Sequence, residues 1–251
     1  MRKKILGLIP IRLNSRRLSQ KALLYIDNFP MVIHVYKRAK LSKKLDDVVV
    51  CCENKKVLNI LKKYNCKAVL TSTTHKNGTE RIAEGYKKYG KSFDLVIDIQ
   101  GDEPLIDPSH IDRVIDYHLK NFDADIIVPS LKILKSEDEN IIKIAKDKDE
   151  RVLYLSRSKI PYDYKIKNNY LHKHLSIISF KPKALKIFSK SKTTLLEKIE
   201  GIELLRALEI GLKIKSPELK GSSFAVEVRR DYIKAKKYIK KDKFYKYYNN
   251  S

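Results

Sequence analysis

Four apolar runs of strand length recur within the first hundred residues: Lys4–Pro10 (KILGLIP), Asp47–Cys52 (DVVVCC), Lys67–Thr71 and Asp94–Gln100 (DLVIDIQ). Between them, Met31–Leu41, Asn54–Lys63 and Thr79–Lys88 set apolar residues at helical intervals. Uninterrupted apolar strands suit a sheet covered on both faces, and short strand–helix joins suit parallel crossovers. The pattern predicts an α/β domain with a mainly parallel central sheet. Ligands of such sheets sit beyond the carboxyl ends of the strands, so chemistry is expected after Pro10, Thr71 and Ile99.

From about Ile126 the alternation stops. Ile126–Leu131, Val152–Leu155 and His174–Phe180 are β-like with no helix between each pair, which predicts an inserted mixed or antiparallel lobe over about 125–195. Leu195–Leu212 reads as one long helix, Ser223–Val228 as a last strand and Asp231–Ile239 as a closing helix. No Pro/Gly/Ser-rich linker or repeat divides the chain. The expectation is one domain over 1–240, followed by a basic, Tyr-rich tail over 241–251.

The 251 residues are enough for a large buried core. Three cysteines cannot all pair, and Cys51 and Cys52 are adjacent, so the chain is expected to be reduced and cytoplasmic. No apolar run reaches the length of a membrane span, and Met1–Lys4 lacks the context of a signal peptide. The net charge of +24 is carried by lysines scattered through the chain. They read as solvated faces, and neither nucleic-acid binding nor membrane insertion is expected.

Three segments can carry chemistry. The first strand opens into IPIRLNSRRLSQK, with Arg12, Ser15, Arg17 and Lys21. Arginine forks, a lysine point charge and hydroxyls are what a polyphosphate needs, yet neither P-loop nor dinucleotide-fold spacing is present. Gln100-Gly101-Asp102-Glu103-Pro104 places a carboxylate at a strand end, beside a glycine that permits close approach; it suits Mg²⁺ or an Asx turn equally. His75-Lys76-Asn77-Gly78-Thr79-Glu80-Arg81 is a turn into a helix, with Thr79 as the expected cap and no structural reason for Arg81.

In this order the three segments resemble IPxRxxSxRLxxKxL, HxxGTER and QGDEP of the CMP-sugar synthetases, most closely the 3-deoxy-D-manno-octulosonate (Kdo) cytidylyltransferases. Further on, LYLSRSKIPY (153–162), HLSI (174–177) and EKIEGIELLR (197–206) are similar to that family's LYFSRxxIPW, HLGIY and LExxExLEQLR. The resemblance covers residues 4 to 240. It implies a Rossmann-like nucleotide-diphospho-sugar transferase domain. It also implies CTP and an acidic 2-ulosonic sugar as substrates, the CMP-sugar and pyrophosphate as products, Mg²⁺ as cofactor and a homodimer. By position, Arg12 and Lys21 would hold the triphosphate, helped by Ser15 and Arg17. Arg81 and Gln100 would meet the nucleoside, and Asp102 would ligate metal. Arg157, His174 and Glu203 would line the sugar side. Arg12, Lys21 and Asp102 would carry catalysis.

The chain departs from the pattern in places. Glu227 stands where GxDTPEDL has its metal-binding Asp, one methylene longer. Ile178 and Leu204 replace a Tyr and a Gln on the sugar side, which leaves open an 8-amino Kdo or a nonulosonate as the sugar. Ser19-Gln20 replaces Pro-Gly in the phosphate loop. Cys51-Cys52-Glu53 replaces xTD, and the cysteines there read as small buried apolar residues.

Overall fold

In the computed structural model, which describes residues 2–13, 17–90 and 92–249, the three longest apolar runs become strands buried at every position: β1 (Ile5–Pro10), β4 (Asp47–Cys52) and β6 (Leu95–Ile99). Between the first two lie a short hairpin, β2 (Tyr25–Ile26) and β3 (Phe29–Pro30), and helix α1 (Met31–Ala39). Helix α2 (Lys55–Lys63), strand β5 (Ala68–Leu70) and helix α3 (Gly78–Tyr89) lead on to β6. The strands run parallel in the order β6-β1-β4-β5. Two of these helices begin at asparagine caps: Asn54 accepts from the Lys56 amide and Asn77 from the Glu80 amide. Thr79, the expected cap of α3, instead lies buried inside the helix.

The chain forms two compact units, Met1–Asp112 with Ser223–Ser251, and Arg113–Ser222. The inserted unit is wider than the expected lobe over 125–195, because later helices and strands belong to it. The boundary falls within α4 (Pro108–Lys120), a helix that the sequence reading did not anticipate. The second unit continues with β7 (Ile126–Ile127), β8 (Ser130–Leu134), β9 (Lys143–Lys146), β10 (Val152–Ser156), β11 (Tyr170–His174) and β12 (Ile177–Phe180). There follow α5 (Pro182–Lys190), α6 (Leu195–Glu200), α7 (Glu203–Glu209), β13 (Ile214–Lys215) and β14 (Glu218–Leu219). One layer is a mostly antiparallel sheet, β10-β9-β11-β8-β14, and β7 also pairs with β12 and β13. The expected mixed lobe is present.

The single helix expected over Leu195–Leu212 is two helices. Gly201 adopts φ +63, the left-handed conformation that ends α6, and α7 starts two residues later. Ser223–Val228 forms no strand. Its link to a neighbouring strand end is the Val226 amide to the Asp102 carbonyl at 2.9 Å, and the amides of Glu227 and Val228 turn instead to the Asp231 carboxylate.

That carboxylate opens α8 (Arg229–Ile239), and the chain beyond it is no detached tail. Tyr245 donates to Asp27, the Tyr248 hydroxyl meets His34, and Arg38 pairs with Asp242 at 2.5 Å. Tyr245 and Tyr248 are buried. The aromatic side chains that made the segment look like a tail are its anchors to the first unit. Among the described residues no helix is long and apolar enough to cross a membrane.

Candidate active site

The nucleotide-side candidates lie in the first unit, beyond the carboxyl ends of β1 and β6. The segment leaving β1 passes so close to the end of β6 that a β-carbon on Gly101 would lie 2.6 Å from Ile11 Cγ2 and 3.1 Å from the Pro10 carbonyl oxygen. Any larger residue there would have to push the Ile11 side chain aside and press on the Pro10 carbonyl. Arg12 is exposed just after it. Ser15 lies outside the described residues. The loop closes through the Gln20 amide on the Leu13 carbonyl, and Gln20 takes a positive φ before Lys21.

Lys21 Nζ then donates to Asp102 Oδ2 at 2.7 Å. Arg17 Nη1 sits 2.6 Å from Glu227 Oε2. With Val226 bonded to Asp102 through the backbone, the two carboxylate-bearing segments lie side by side. Each carboxylate thus holds one cation of the loop.

Arg81, which lacked a structural reason in the sequence, has one here. Nη1 donates to Thr71 Oγ1 at 2.8 Å and to the Ser72 carbonyl at 3.1 Å, and Nη2 meets Glu53 Oε2 at 2.5 Å. Glu53 also accepts the Leu13 amide at 3.2 Å. It therefore ties Leu13, at the start of the loop after β1, to Arg81, a role that no local motif marks because its partners lie far along the chain. All three cysteines are free and buried, and burial raises the thiols of Cys51, Cys52 and Cys66. Gln100 donates to Asp98 Oδ2 at 2.8 Å and packs with Pro10 against Gly78 at the start of α3. His75, the first residue of its motif, bonds Glu84. Burial raises Glu84, but Lys88, the Ser72 amide and His75 outweigh it and bring the carboxyl down to about 2.

Asp102 and Glu227 are the neighbouring carboxylates that a divalent cation would meet here. Among the described residues no cluster of three or more His, Cys, Asp or Glu could hold one unaided. Mg²⁺ is usually held by one or two carboxylates completed by substrate phosphates and water. Two neighbouring carboxylates beside the cation-bearing loop after β1 fit that donor set.

The sugar-side candidates lie in the second unit. Ser156 pairs with Lys143, and Lys173 pairs with Lys143 from the other side, so Arg157 and His174 flank the start of β9. The His174 amide donates to the Ile142 carbonyl. Its Nε2 is buried without a hydrogen-bond partner, and burial, helped by Lys173, lowers its pKa to about 4. The imidazole is neutral at pH 7 and has a free polar atom. Arg157 is more committed: it donates to the carbonyls of Glu200 at 2.9 Å and Glu139 at 2.8 Å, closing the end of α6. Glu200 in return accepts from Ser156 Oγ and the Arg157 amide. Glu203 is half-buried in the first turn of α7, which packs on β10.

Lys143, which no motif flagged, is fully buried, with its amine on the carbonyls of Asp138 and Arg157. The EKIEGIELLR motif is in part structural. Glu197 and Arg206 form a buried two-pronged pair at 2.6 Å, with the guanidinium over Phe188. Ile178 and Leu204 are both buried.

A cytidylyltransferase family profile matches residues 6–214. A 3-deoxy-manno-octulosonate cytidylyltransferase of Thermodesulfovibrio yellowstonii is 38% identical over 244 residues, 91% of this chain and 95% of that protein. An 8-amino-3,8-dideoxy-manno-octulosonate cytidylyltransferase of Shewanella pealeana is 36% identical over 213 residues, 83% of this chain and 87% of that protein. A solved structure of CMP:2-keto-3-deoxy-manno-octonic acid synthetase complexed with CTP superposes with a TM-score of 0.88 at 27% identity, covering 95% of this chain and 99% of that one. With a profile over most of its length, relatives above one-third identity and this shared fold, the chain belongs to the 3-deoxy-manno-octulosonate cytidylyltransferase family.

Proposed function

We propose that this protein transfers the cytidylyl group of CTP to the anomeric hydroxyl of an acidic 2-ulosonic sugar, Kdo first among them, for surface polysaccharide assembly. The observation that carries the reading is the set of loop cations, Arg17 and Lys21, paired with neighbouring carboxylates at the strand ends. The sugar oxygen bonds to the α-phosphorus as its hydroxyl proton passes to solvent, the bond from the α-phosphorus to the α–β bridging oxygen breaks, and pyrophosphate leaves with the electron pair. Phosphoryl-type transfer of this kind depends on positioning and charge stabilisation more than on a nucleophilic side chain. Arg12, Arg17 and Lys21 bind the phosphates, with Ser15 beside them. Asp102 and Glu227 would hold Mg²⁺, which when bound neutralises phosphate charge. Gln100 and Arg81 orient the nucleoside, Arg81 held in place by Glu53. On the sugar side, the neutral His174 meets a hydroxyl through Nε2, and Arg157 and Glu203 complete the wall.

Two further properties belong to the proposal. Free, buried thiols suit the cytoplasm. Leu134, Leu153, Tyr162, Tyr164, Ile166 and Tyr170 are exposed apolar side chains of the second unit, and they support a homodimer. Light scattering should give twice the monomer mass; a monomer at micromolar concentration would remove that part. An 8-amino Kdo is the second reading, favoured by Ile178 and Leu204, which are buried where the family pattern carries hydrogen-bonding groups.

The test is pyrophosphate release with Mg²⁺, each of the four nucleoside triphosphates and a panel of ulosonic acids. CTP should be strongly preferred over UTP, because a site that hydrogen-bonds the cytosine amino group leaves its acceptors unpaired with uracil. Equal rates with CTP and UTP would overturn the nucleotide assignment.

A further inference from the structure

Two cations of the loop, Lys21 and Arg17, pair with the two candidate metal carboxylates, Asp102 and Glu227. Lys21 lies on Asp102 at 2.7 Å and Arg17 on Glu227 at 2.6 Å. A triphosphate draws on these cations and a divalent ion on these carboxylates, so each ligand competes with the pairs. The second pair is the easier to open, since the Arg17 side chain is 54% exposed and that of Glu227 29%. Ion pairs in such solvated surroundings are weak, little against the charge of a triphosphate. The backbone beneath Glu227 is meanwhile fixed. Its amide bonds the Asp231 carboxylate, and the neighbouring Val226 amide bonds the Asp102 carbonyl. Exchange therefore needs the Arg17 and Glu227 side chains to turn over a fixed Glu227 backbone.

We infer that Arg17 is a positioning residue for Glu227. It holds the carboxylate, and phosphates that draw the guanidinium away release Glu227 toward the divalent cation. Nucleotide and metal then bind cooperatively through the protein as well as through their direct contact. A ligand that takes Arg17 from Glu227 must favour the open arrangement by the free energy of the pair, and linkage makes the effect reciprocal. The inference rests on the site being a CTP site.

CTP binding, measured by calorimetry in EDTA, tests it without turnover. The proteins are the wild type, Glu227→Gln, Arg17→Gln and the double variant, each shown to be folded by thermal melting. Glu227→Gln removes the pair with Arg17 and should tighten CTP by about threefold or more. In the Arg17→Gln background the same substitution should change affinity by less than half that factor. Equal tightening in both backgrounds means that only a negative charge has been removed from the neighbourhood, and it overturns the inference. Unchanged affinity in Glu227→Gln also overturns it. Failure of the wild type to bind CTP with or without Mg²⁺ would be a different result, removing the nucleotide assignment beneath it.

Discussion

Lys21 shows how one side chain can serve both fold and chemistry. It is 17% exposed and bonds Asp102, so a change there touches a partly solvated ion pair as well as the proposed triphosphate site. The two roles differ in size. Removing a charged group that stabilises a transition state costs on the order of 2–4 kcal/mol, whereas a partly solvated pair contributes about 1 kcal/mol or less. Lys21→Ala should therefore lower kcat/KM roughly 30- to 1000-fold and move Tm by a few degrees at most. Arg12→Ala, at an exposed position, should do the same with less effect on Tm. If either variant unfolds in a melting experiment, the residue belongs to the scaffold and the loop assignment is wrong. Arg81 is the opposite case: buried, with its donors on Thr71, Ser72 and Glu53, it is as much a brace as a ligand.

Among elements, the break between α6 and α7 matters most to the sugar side. Glu200 ends α6 and holds Ser156 and Arg157, while Glu203 begins α7. Gly201 sits between them with φ +63 and no atom within 4 Å of a β-carbon placed on it. Its requirement is conformational and not steric. Gly201→Ala should cost about 1 kcal/mol through the left-handed penalty. Because the turn also sets the carbonyls that receive Arg157, the KM for the sugar should rise while the KM for CTP stays put. Thermal melting and steady-state kinetics with each substrate varied would check both. A helix running unbroken through 201, with unchanged stability, would show the turn to be dispensable.

Across the whole molecule, buried imidazoles set the acid limit. Burial is the main cause lowering His34 and His118 to about 4, helped by Arg38 and Lys181 and opposed by the carbonyls of Ile26 and Ala124. Their hydrogen bonds fit neutral rings: each pairs Nε2 with one of those carbonyls and Nδ1 with a hydroxyl, of Tyr248 or Ser179. Between the ordinary histidine value of about 6.5 and about 4, the unfolded chain binds protons that the native one refuses. Stability should thus fall as pH drops through that window, by up to about 1.4 kcal/mol per pH unit for each histidine, and level off below it. Glu84, held at about 2, adds its loss only below the ordinary carboxylate value. Tm measured against pH would show this, and His118→Gln should reduce the slope between 6.5 and 4. An unchanged slope in that variant would assign the acid limb to other groups.

How much could be read without coordinates follows from the range of the interactions involved. The parallel strands of the first unit were legible because burial on both faces demands an unbroken apolar run, which is a local pattern. The motifs that identify the family were legible because loop cations and a strand-end carboxylate are local too. Other features are set by partners far along the chain, and no window of sequence contains them. The last strand expected at Ser223–Val228 failed because a ladder needs a free neighbouring edge, and those amides found Asp102 and Asp231 instead. The tail expected from 241 onward became part of the first unit because Asp242, Tyr245 and Tyr248 meet Arg38, Asp27 and His34, some two hundred residues earlier. Glu53 joined the site for the same reason: its partners, Leu13 and Arg81, lie 40 and 28 residues away. Local periodicity specifies which segments form strands and helices, whereas an ion pair between distant side chains exists only once the fold has brought them together.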